Sequence, residues 1–253
     1  MSAVEAPVVV FSARCRAEEI GQGEERAKYL GLRLFIFTRK GAGEKREVDG
    51  MGMDIVCLDM EGVLVPEIWI AFSKATGIPE LSKTTRDEPD YDKLMQYRLA
   101  ILKEHGLGLK EIQDTISTID PFEGAKEFLD ELRSLTQVII LSDTFTQFAG
   151  PLMAKLGYPT LFCNTLEVGA DGEITGYRMR CEKSKLTTVK ALQSIGFTTI
   201  AAGDSHNDLG MIRASRAGFL FKSTDSIKAE NPDLPAFETY DELMAALKEV
   251  LGA

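Results

Sequence analysis

Three short acidic motifs directly follow apolar segments of this chain. Residues 59–62 read Asp-Met-Glu-Gly, 141–144 read Leu-Ser-Asp-Thr and 203–208 read Gly-Asp-Ser-His-Asn-Asp, and Lys185 begins a helical segment before the last motif. Because ligands of open parallel α/β sheets bind at the carboxyl ends of the strands, we expect these groups to meet at one edge. Carboxylates gathered in one place repel each other and suit a hard cation with oxygen ligands, such as Mg²⁺.

Each motif taken alone has a plain structural interpretation. Asp and Gly are common turn residues, Asp204 and Asp208 could cap a helix, and an isolated Lys185 would be expected at the surface. We interpret the set differently, because the motifs occur together at the ends of strands in one predicted sheet. The sequence therefore predicts one site where these strand ends meet.

The elements that must position these groups follow a regular pattern from residue 53. A β-rich run at 55–58 is followed by helical stretches at 67–76, 91–104, 109–118 and 122–135. Strands are then predicted at 137–141, 160–163, 198–202 and 217–221, with a hairpin formed by 166–168 and 174–178. Helices are predicted between and after them at 145–156, 185–195, 207–214 and 239–250. This alternation predicts an α/β fold, a Rossmann-like doubly wound parallel sheet with a helical insertion after the first strand.

Composition excludes several classes of function. The formal net charge is −10, which argues against nucleic acid or an anionic membrane surface as the partner. The apolar runs are far shorter than the roughly 20 residues of a membrane span, and the N-terminus is a poor secretory signal or transit peptide. With only two histidines a multi-histidine zinc centre is excluded, and the four cysteines show no CxxC pair, as expected of reduced thiols in a cytoplasmic protein.

The motifs resemble the four sequence motifs of the haloacid dehalogenase (HAD) superfamily. They are carried by 56–63, Leu141-Ser142-Asp143, Lys185 and 203–208. Residues 53–253 as a whole resemble the bifunctional phosphoserine phosphatase/phosphoserine:homoserine phosphotransferase branch, of which the stretches at 59–69, 85–92 and 200–205 are distinctive. The resemblance implies a phosphatase that releases L-serine and phosphate and that also transfers the phosphoryl group to homoserine.

The resemblance also implies roles for the acidic residues. Asp59 would attack phosphorus as the nucleophile and become a phospho-aspartate. Glu61 would act as general acid and then general base, a position that most HAD phosphatases fill with Asp but this branch fills with Glu. Mg²⁺ would be bound by the side chains of Asp59 and Asp204 and by the backbone carbonyl of Glu61, while Asp208 would support the metal shell.

Substrate recognition is divided between the phosphate and the amino-acid part of phosphoserine. The resemblance implies that Ser142, Lys185 and Asn207 contact the phosphoryl group. Glu67 would pair with the ammonium group, Arg98 would bind the carboxylate bidentately, and Asp143 would also touch the substrate. The side chains of Trp69 and Phe72 are expected in the core, not against a ligand, and His206 is not expected to be a base.

The predicted domain organisation has three parts. Residues 53–66 and 120–253 would form the HAD core, and 67–119 a helical cap over the active site. Residues 1–52 lie outside the resemblance. They are interpreted as an N-terminal extension that is poorly ordered or a non-native start, although a docking segment is the alternative.

Two alternatives to a phosphoserine phosphatase remain open at this stage. The first is a HAD phosphatase for another small phosphomonoester. The second is a receiver-like signalling module with a phosphorylated Asp, which the long helical insertion disfavours. The sequence does not decide between water and homoserine as acceptor, nor between a monomer and a homodimer.

Overall fold

A computed structural model describes residues 53–84, 87–88 and 90–253. They belong to a compact unit that spans Gly50–Ala253. The extension predicted over 1–52 lies outside the described residues, as does part of the 85–92 motif. Within the described part of the chain, no helix has both the length and the apolar character needed to cross a bilayer.

The described residues form a seven-stranded sheet with the order β4-β3-β2-β1-β5-β6-β7. Its strands are β1 (Met53–Leu58), β2 (Gln137–Phe145), β3 (Leu161–Val168), β4 (Ile174–Arg178), β5 (Phe197–Gly203), β6 (Ala217–Phe221) and β7 (Ala236–Phe237). All neighbouring pairs are parallel except β3 and β4, which form the predicted antiparallel hairpin. Because β1 pairs with β2 on one side and β5 on the other, the strand order reverses at β1, which is where ligands bind in such sheets.

The central strand β1 divides its side chains between two hydrophobic cores. Val56 and Leu58 belong to the larger core, whereas Ile55 and Cys57 belong to the smaller core on the other face. Successive strand residues point to opposite faces, so an uninterrupted apolar strand requires cover on both sides. This arrangement confirms the predicted doubly wound sheet.

A group of helices follows β1, and further helices alternate with the later strands. Four α-helices of the described residues lie between β1 and β2: α1 (Ile68–Thr76), α2 (Tyr91–Glu104), α3 (Leu109–Ser117) and α4 (Ala125–Leu135). The others are α5 (Thr146–Lys155), α6 (Ser184–Ser194), α7 (Leu209–Ala214), α8 (Asp225–Glu230) and α9 (Tyr240–Leu251). Helix α4 packs against β2 and α9, while α2 packs against β4. The helical insertion after the first strand is therefore confirmed.

The predicted break between strands at 160–163 and 166–168 is wrong, because one strand, β3, covers both. Asn164 lies in its middle and is buried. Its side-chain amide donates to the backbone carbonyl of Asp143 (3.0 Å), and its amide oxygen accepts from the N–H of Arg180 (3.0 Å). A buried Asn is acceptable in a strand when its polar atoms are paired in this way.

Strand β2 extends to Phe145 and not only to the predicted end at Leu141. It pairs with β1 only as far as Ile140, and its pairing with β3 is irregular between Leu141 and Phe145. The Ser142–Asp143 pair thus lies where β2 leaves the regular ladder, which frees these side chains for a site. Helix α8, strand β7 and the 3₁₀ helix Pro79–Ser82 were not predicted, because each is too short to show a period.

Candidate active site

The nucleophile candidate Asp59 lies at the end of the central strand. Its N–H donates to the carbonyl of Ala202 in β5 (3.0 Å), so the backbone is still held by the sheet at this residue. Its carboxylate accepts from the N–H of Met60 (2.7 Å) and is buried. The sheet therefore fixes both the position and the direction of this side chain.

Lys185 bridges two buried carboxylates. Its Nζ lies 2.8 Å from Asp59 Oδ1 and 2.7 Å from Asp208 Oδ1. Burial by itself would lower the pKa of Lys185, but the charges of Asp208, Asp59 and Asp143 outweigh burial and hold this pKa well above its usual range. Lys185 is thus a permanent buried cation beside the nucleophile candidate, and not the surface residue that it would be in isolation.

Asp208 organises the turn after β5. Its second carboxyl oxygen accepts from the N–H groups of Asp204 (3.1 Å) and Ser205 (3.0 Å) and from the Ser205 hydroxyl (3.1 Å). A Cβ at Gly203 would overlap this carboxyl group, so the close approach requires glycine. These contacts fit the supporting role predicted for Asp208.

Three buried carboxylates of the described residues form a group with the dimensions of a metal site. One carboxylate oxygen from each of Asp59, Asp204 and Asp208 lies within 4.8 Å of the others. Burial raises the pKa of Asp204 to about 7, and the nearby charges of Asp208 and Glu67 add to the effect. Burial and the charges of Asp208 and Asp204 also raise the pKa of Asp59, against the opposing charge of Lys185. A hard divalent cation with oxygen ligands fits this donor set, because it would offset the mutual repulsion.

Glu61 lies two residues beyond the nucleophile candidate, where the chain turns. Gly62 has a φ of 79°, and a Cβ there would overlap the carboxyl group of Asp204. The Glu61 Oε2 atom accepts from the N–H of Ile68 at the start of α1 (2.8 Å). Burial raises the pKa of Glu61 to about 8, with a further contribution from the charge of Glu67. The carboxylate of Glu61 is not part of the group of three; the ligand predicted from Glu61 is its backbone carbonyl.

Asp143 accepts hydrogen bonds from residues that are distant in sequence, in addition to the bond from Asn164 described above. Its carboxylate accepts from the Ser184 hydroxyl (2.9 Å) and from the side-chain amide of Asn207 (3.0 Å), and its carbonyl accepts from the Tyr91 hydroxyl (3.4 Å). The Ser142 hydroxyl accepts from the N–H of Thr144 (3.2 Å), leaving its own proton available to a ligand. Asp143 therefore fixes the side chain of Asn207, a contact that the sequence did not predict.

The insertion contributes a buried cation and a carboxylate. Arg98 of α2 is buried; its Nη2 donates to the carbonyl of Lys83 (2.6 Å), and its guanidinium lies 4.4 Å from the centre of the Trp69 ring. Its Nε–H group has no hydrogen-bond partner among the described residues. Burial lowers the pKa of Arg98 to about 10, although the nearby Tyr91, Glu61 and Glu67 oppose this. Glu67 immediately precedes α1.

One cavity of about 600 Å³ brings all of the predicted site residues together. They are Asp59, Glu61, Glu67, Arg98, Ser142, Asp143, Lys185, Asp204 and Asn207. Trp69, Tyr91 and Lys183 also line this cavity, although they were not predicted from the sequence as site residues. Trp69 was expected in the core; it does pack against Phe72 and Phe148, but it forms part of the cavity wall as well. The spacing of apolar residues along a helix does not distinguish a side chain in the core from one in the wall of a cavity. Asp208, in contrast, could be predicted from the sequence as a site residue, because it follows Asp204 within the same motif.

A profile of the haloacid dehalogenase-like hydrolase family matches residues 53–216. This range contains every residue of the site described above. The chain belongs to the haloacid dehalogenase-like hydrolase family. The resemblance to the HAD superfamily that the sequence motifs indicated is therefore confirmed.

Two curated relatives of this HAD chain carry the name phosphoserine phosphatase. The phosphoserine phosphatase ThrH of Pseudomonas aeruginosa is 52% identical over 191 residues, which is 76% of this chain and 93% of that protein. The phosphoserine phosphatase of Pseudomonas syringae pv. tomato is also 52% identical over 191 residues, covering 76% of this chain and 81% of the relative. The similarity thus covers most of all three proteins.

Two solved phosphoserine phosphatase structures share the fold of this chain. A substrate-bound phosphoserine phosphatase complex superimposes with a TM-score of 0.64 and 23% identity, over 79% of this chain and 99% of the other. A phosphoserine phosphatase representing a phospho-aspartyl intermediate analogue also gives 0.64, with 22% identity over 78% and 99% of the two chains. These comparisons confirm the α/β fold.

Proposed function

We propose that this chain is a Mg²⁺-dependent phosphoserine phosphatase that also transfers the phosphoryl group to homoserine. The observation that carries the proposal is the division of one cavity between two kinds of residue. Asp59 supplies a buried nucleophile, Lys185 a positive charge suited to a phosphate and Asp204 a carboxylate suited to a metal ion, whereas Arg98 and Glu67 supply charges suited to an amino acid. The name shared by the two relatives that are 52% identical supports the same substrate.

The chemistry begins with the carboxylate of Asp59. It would attack phosphorus as the bond from phosphorus to the serine oxygen breaks, which leaves a phosphoryl group on Asp59. Both the carboxylate and a phosphate dianion are negative, so the buried Lys185 at 2.8 Å and the hydroxyl and amide of Ser142 and Asn207 would stabilise the added charge. The residues that would hold Mg²⁺ are Asp59, Asp204 and the carbonyl of Glu61. When bound, the ion supplies positive charge that weakens this repulsion.

Glu61 is placed to move the proton. One of its carboxyl oxygens accepts the N–H of Ile68, which leaves the other oxygen to carry a proton toward the cavity. Its raised pKa, about 8, supports a protonated Glu61 at neutral pH. Glu61 would protonate the leaving serine oxygen, and the carboxylate so formed would then deprotonate the attacking acceptor. General acid–base help of this kind is worth about 10²–10⁴-fold in rate.

The charged groups of the insertion would recognise the amino-acid part. Glu67 would pair with the ammonium group, and the unpaired Nε–H of the buried Arg98 favours a carboxylate ligand. Homoserine carries the same two groups with one more methylene. It would therefore occupy the place that serine leaves, with its hydroxyl directed at the phosphorylated Asp59. In this scheme 67–119 acts as a cap that excludes water.

The proposal is tested by a screen of phosphate release. Phosphoserine, phosphothreonine, phosphoethanolamine and glycerol phosphate would each be supplied with Mg²⁺, with and without a chelator, using Asp59→Asn as the inactive control. We expect phosphoserine to be the preferred substrate and the chelator to abolish its hydrolysis. A preference for an ester without a carboxylate would instead favour another phosphomonoester as substrate.

Transfer to homoserine is tested in the same reactions. Addition of homoserine should divert the phosphoryl group, so that phosphohomoserine accumulates and free phosphate falls while serine release continues. If serine and phosphate are released in equal amounts at every homoserine concentration, water is the acceptor and the transferase half of the proposal is wrong.

A further inference from the structure

We infer that Trp69 is a positioning residue that orients the Arg98 guanidinium, and thereby sets the preference of the site for phosphate esters that also carry a carboxylate. The inference rests on the proposed function, because it deepens the role given there to Arg98. It does not make Trp69 a group that contacts the reacting atoms.

Few hydrogen bonds hold the guanidinium of Arg98. Arg98 has only one hydrogen bond to an oxygen among the described residues, from Nη2 to the carbonyl of Lys83. Its Nη1 contacts the sulfur of Met95 at 3.8 Å, and its Nε–H is unpartnered. These two contacts lie at the terminal nitrogens of the guanidinium, and no hydrogen bond restrains its Nε–H side. Something else must hold its plane if two N–H groups are to meet a carboxylate.

The ring of Trp69 holds the plane of the guanidinium. The Trp69 ring lies 4.4 Å from the guanidinium carbon, within the range of a cation–π contact. Only 8% of Trp69 and 5% of Arg98 is exposed, so little solvent competes with the contact. Such contacts are strongest for tryptophan and gain strength when desolvated.

The ring of Trp69 is itself held in place by two other aromatic rings. Its ring packs edge-on against Phe72 in α1, with centroids 6.3 Å apart, and against Phe148 in α5, with centroids 5.7 Å apart. Helix α5 begins directly after β2, the strand that carries Ser142 and Asp143. The aromatic contacts therefore connect Arg98 in the insertion to the strand that carries the predicted phosphate-binding residues.

The test compares two substrates that differ in one group. Phosphoserine and phosphoethanolamine both carry phosphate and ammonium, but only phosphoserine has a carboxylate. The measured quantity is the ratio of kcat/KM for the two substrates, determined with the full chain. Trp69→Leu should lower this ratio about 5- to 30-fold, mainly through a higher KM for phosphoserine, which corresponds to the strength of a desolvated cation–π contact.

Two further variants separate orientation from folding. Trp69→Phe keeps an aromatic face and should retain more of the preference than Trp69→Leu. Phe219→Leu removes a buried aromatic side chain of β6, which lines no part of the cavity, and should leave the ratio unchanged even if the melting temperature falls.

The outcomes distinguish this inference from the proposed function. An unchanged ratio in Trp69→Leu, or an equal loss with both substrates, overturns the positioning role while the wild-type preference for phosphoserine stands. A wild-type protein without that preference overturns carboxylate recognition by Arg98 and this inference together. A selective loss for phosphoserine, partly restored by Trp69→Phe, supports the inference.

Discussion

Glu61 illustrates how single residues acquire a chemical role from their surroundings. Replacement of Glu61 by Gln keeps the acceptor for the Ile68 N–H but removes the proton donor. We expect the turnover of phosphoserine to fall about 10²–10⁴-fold, because the serine alkoxide would leave without a proton. Steady-state hydrolysis measured at a fixed Mg²⁺ concentration checks this.

An ester with a better leaving group provides the control for Glu61. In p-nitrophenyl phosphate the leaving group needs no proton, so Glu61→Gln should still release an initial burst of nitrophenol before the second step slows. If the burst is lost as completely as phosphoserine turnover, Glu61 supports the site's structure or its metal and does not act as the acid.

Arg98 determines recognition, not reactivity, in the proposed function. Arg98→Ala should lower kcat/KM for phosphoserine roughly 10- to 150-fold, the cost of a lost charged hydrogen bond of about 1.5–3 kcal/mol. Hydrolysis of p-nitrophenyl phosphate should barely change, because that ester has no carboxylate. Equal losses with both esters would contradict the assignment, and so would no loss with either.

At the scale of elements, the turn after β1 determines whether the acidic residues can assemble. Gly62 and Gly77 both have positive φ values, 79° and 70°, but an added Cβ overlaps Asp204 only at Gly62. Alanine at either position should destabilise the protein by about 1–2 kcal/mol through its left-handed backbone. Only Gly62→Ala should also displace Asp204, so we expect the Mg²⁺ concentration for half-maximal activity to rise about 10- to 100-fold.

Two measurements on these glycine variants test this expectation. Thermal unfolding measures the destabilisation that both variants share, and a titration of activity with Mg²⁺ measures the effect of displacing Asp204. If Gly77→Ala alters the Mg²⁺ requirement as much as Gly62→Ala does, crowding against Asp204 is not the cause of the altered requirement.

Much of the framework that positions these residues could be predicted from the sequence. The central strand was evident because β1 is apolar on both faces, and the motif 203–208 was evident because acidic residues recur directly after β5. The continuous strand β3 was not evident from the sequence. The hydrogen bonds that pair the buried Asn164 involve Asp143 and Arg180, which are distant from it in sequence. The wall formed by Trp69 was missed for a similar reason, since its contact with Arg98 joins two different helices.

At the scale of the whole molecule, the site lies within one compact unit. Every site residue falls between Asp59 and Asp208, inside the unit Gly50–Ala253. A variant that lacks residues 1–52 should therefore fold and keep full phosphoserine hydrolysis. Melting temperature and kcat/KM measured beside the full chain check this expectation. A marked loss of either would mean that residues 1–52 belong to the functional unit.

The central claim is that the carboxylate of Asp59 receives the phosphoryl group. Its most direct test is to mix the full chain with Mg²⁺ and phosphoserine labelled with ³²P, quench with acid within one turnover and locate the label by peptide mass spectrometry. We predict label on the peptide that contains Asp59, attached to that residue, and its absence in Asp59→Asn. Rapid hydrolysis with no labelled peptide, or label on a different residue, would contradict the account.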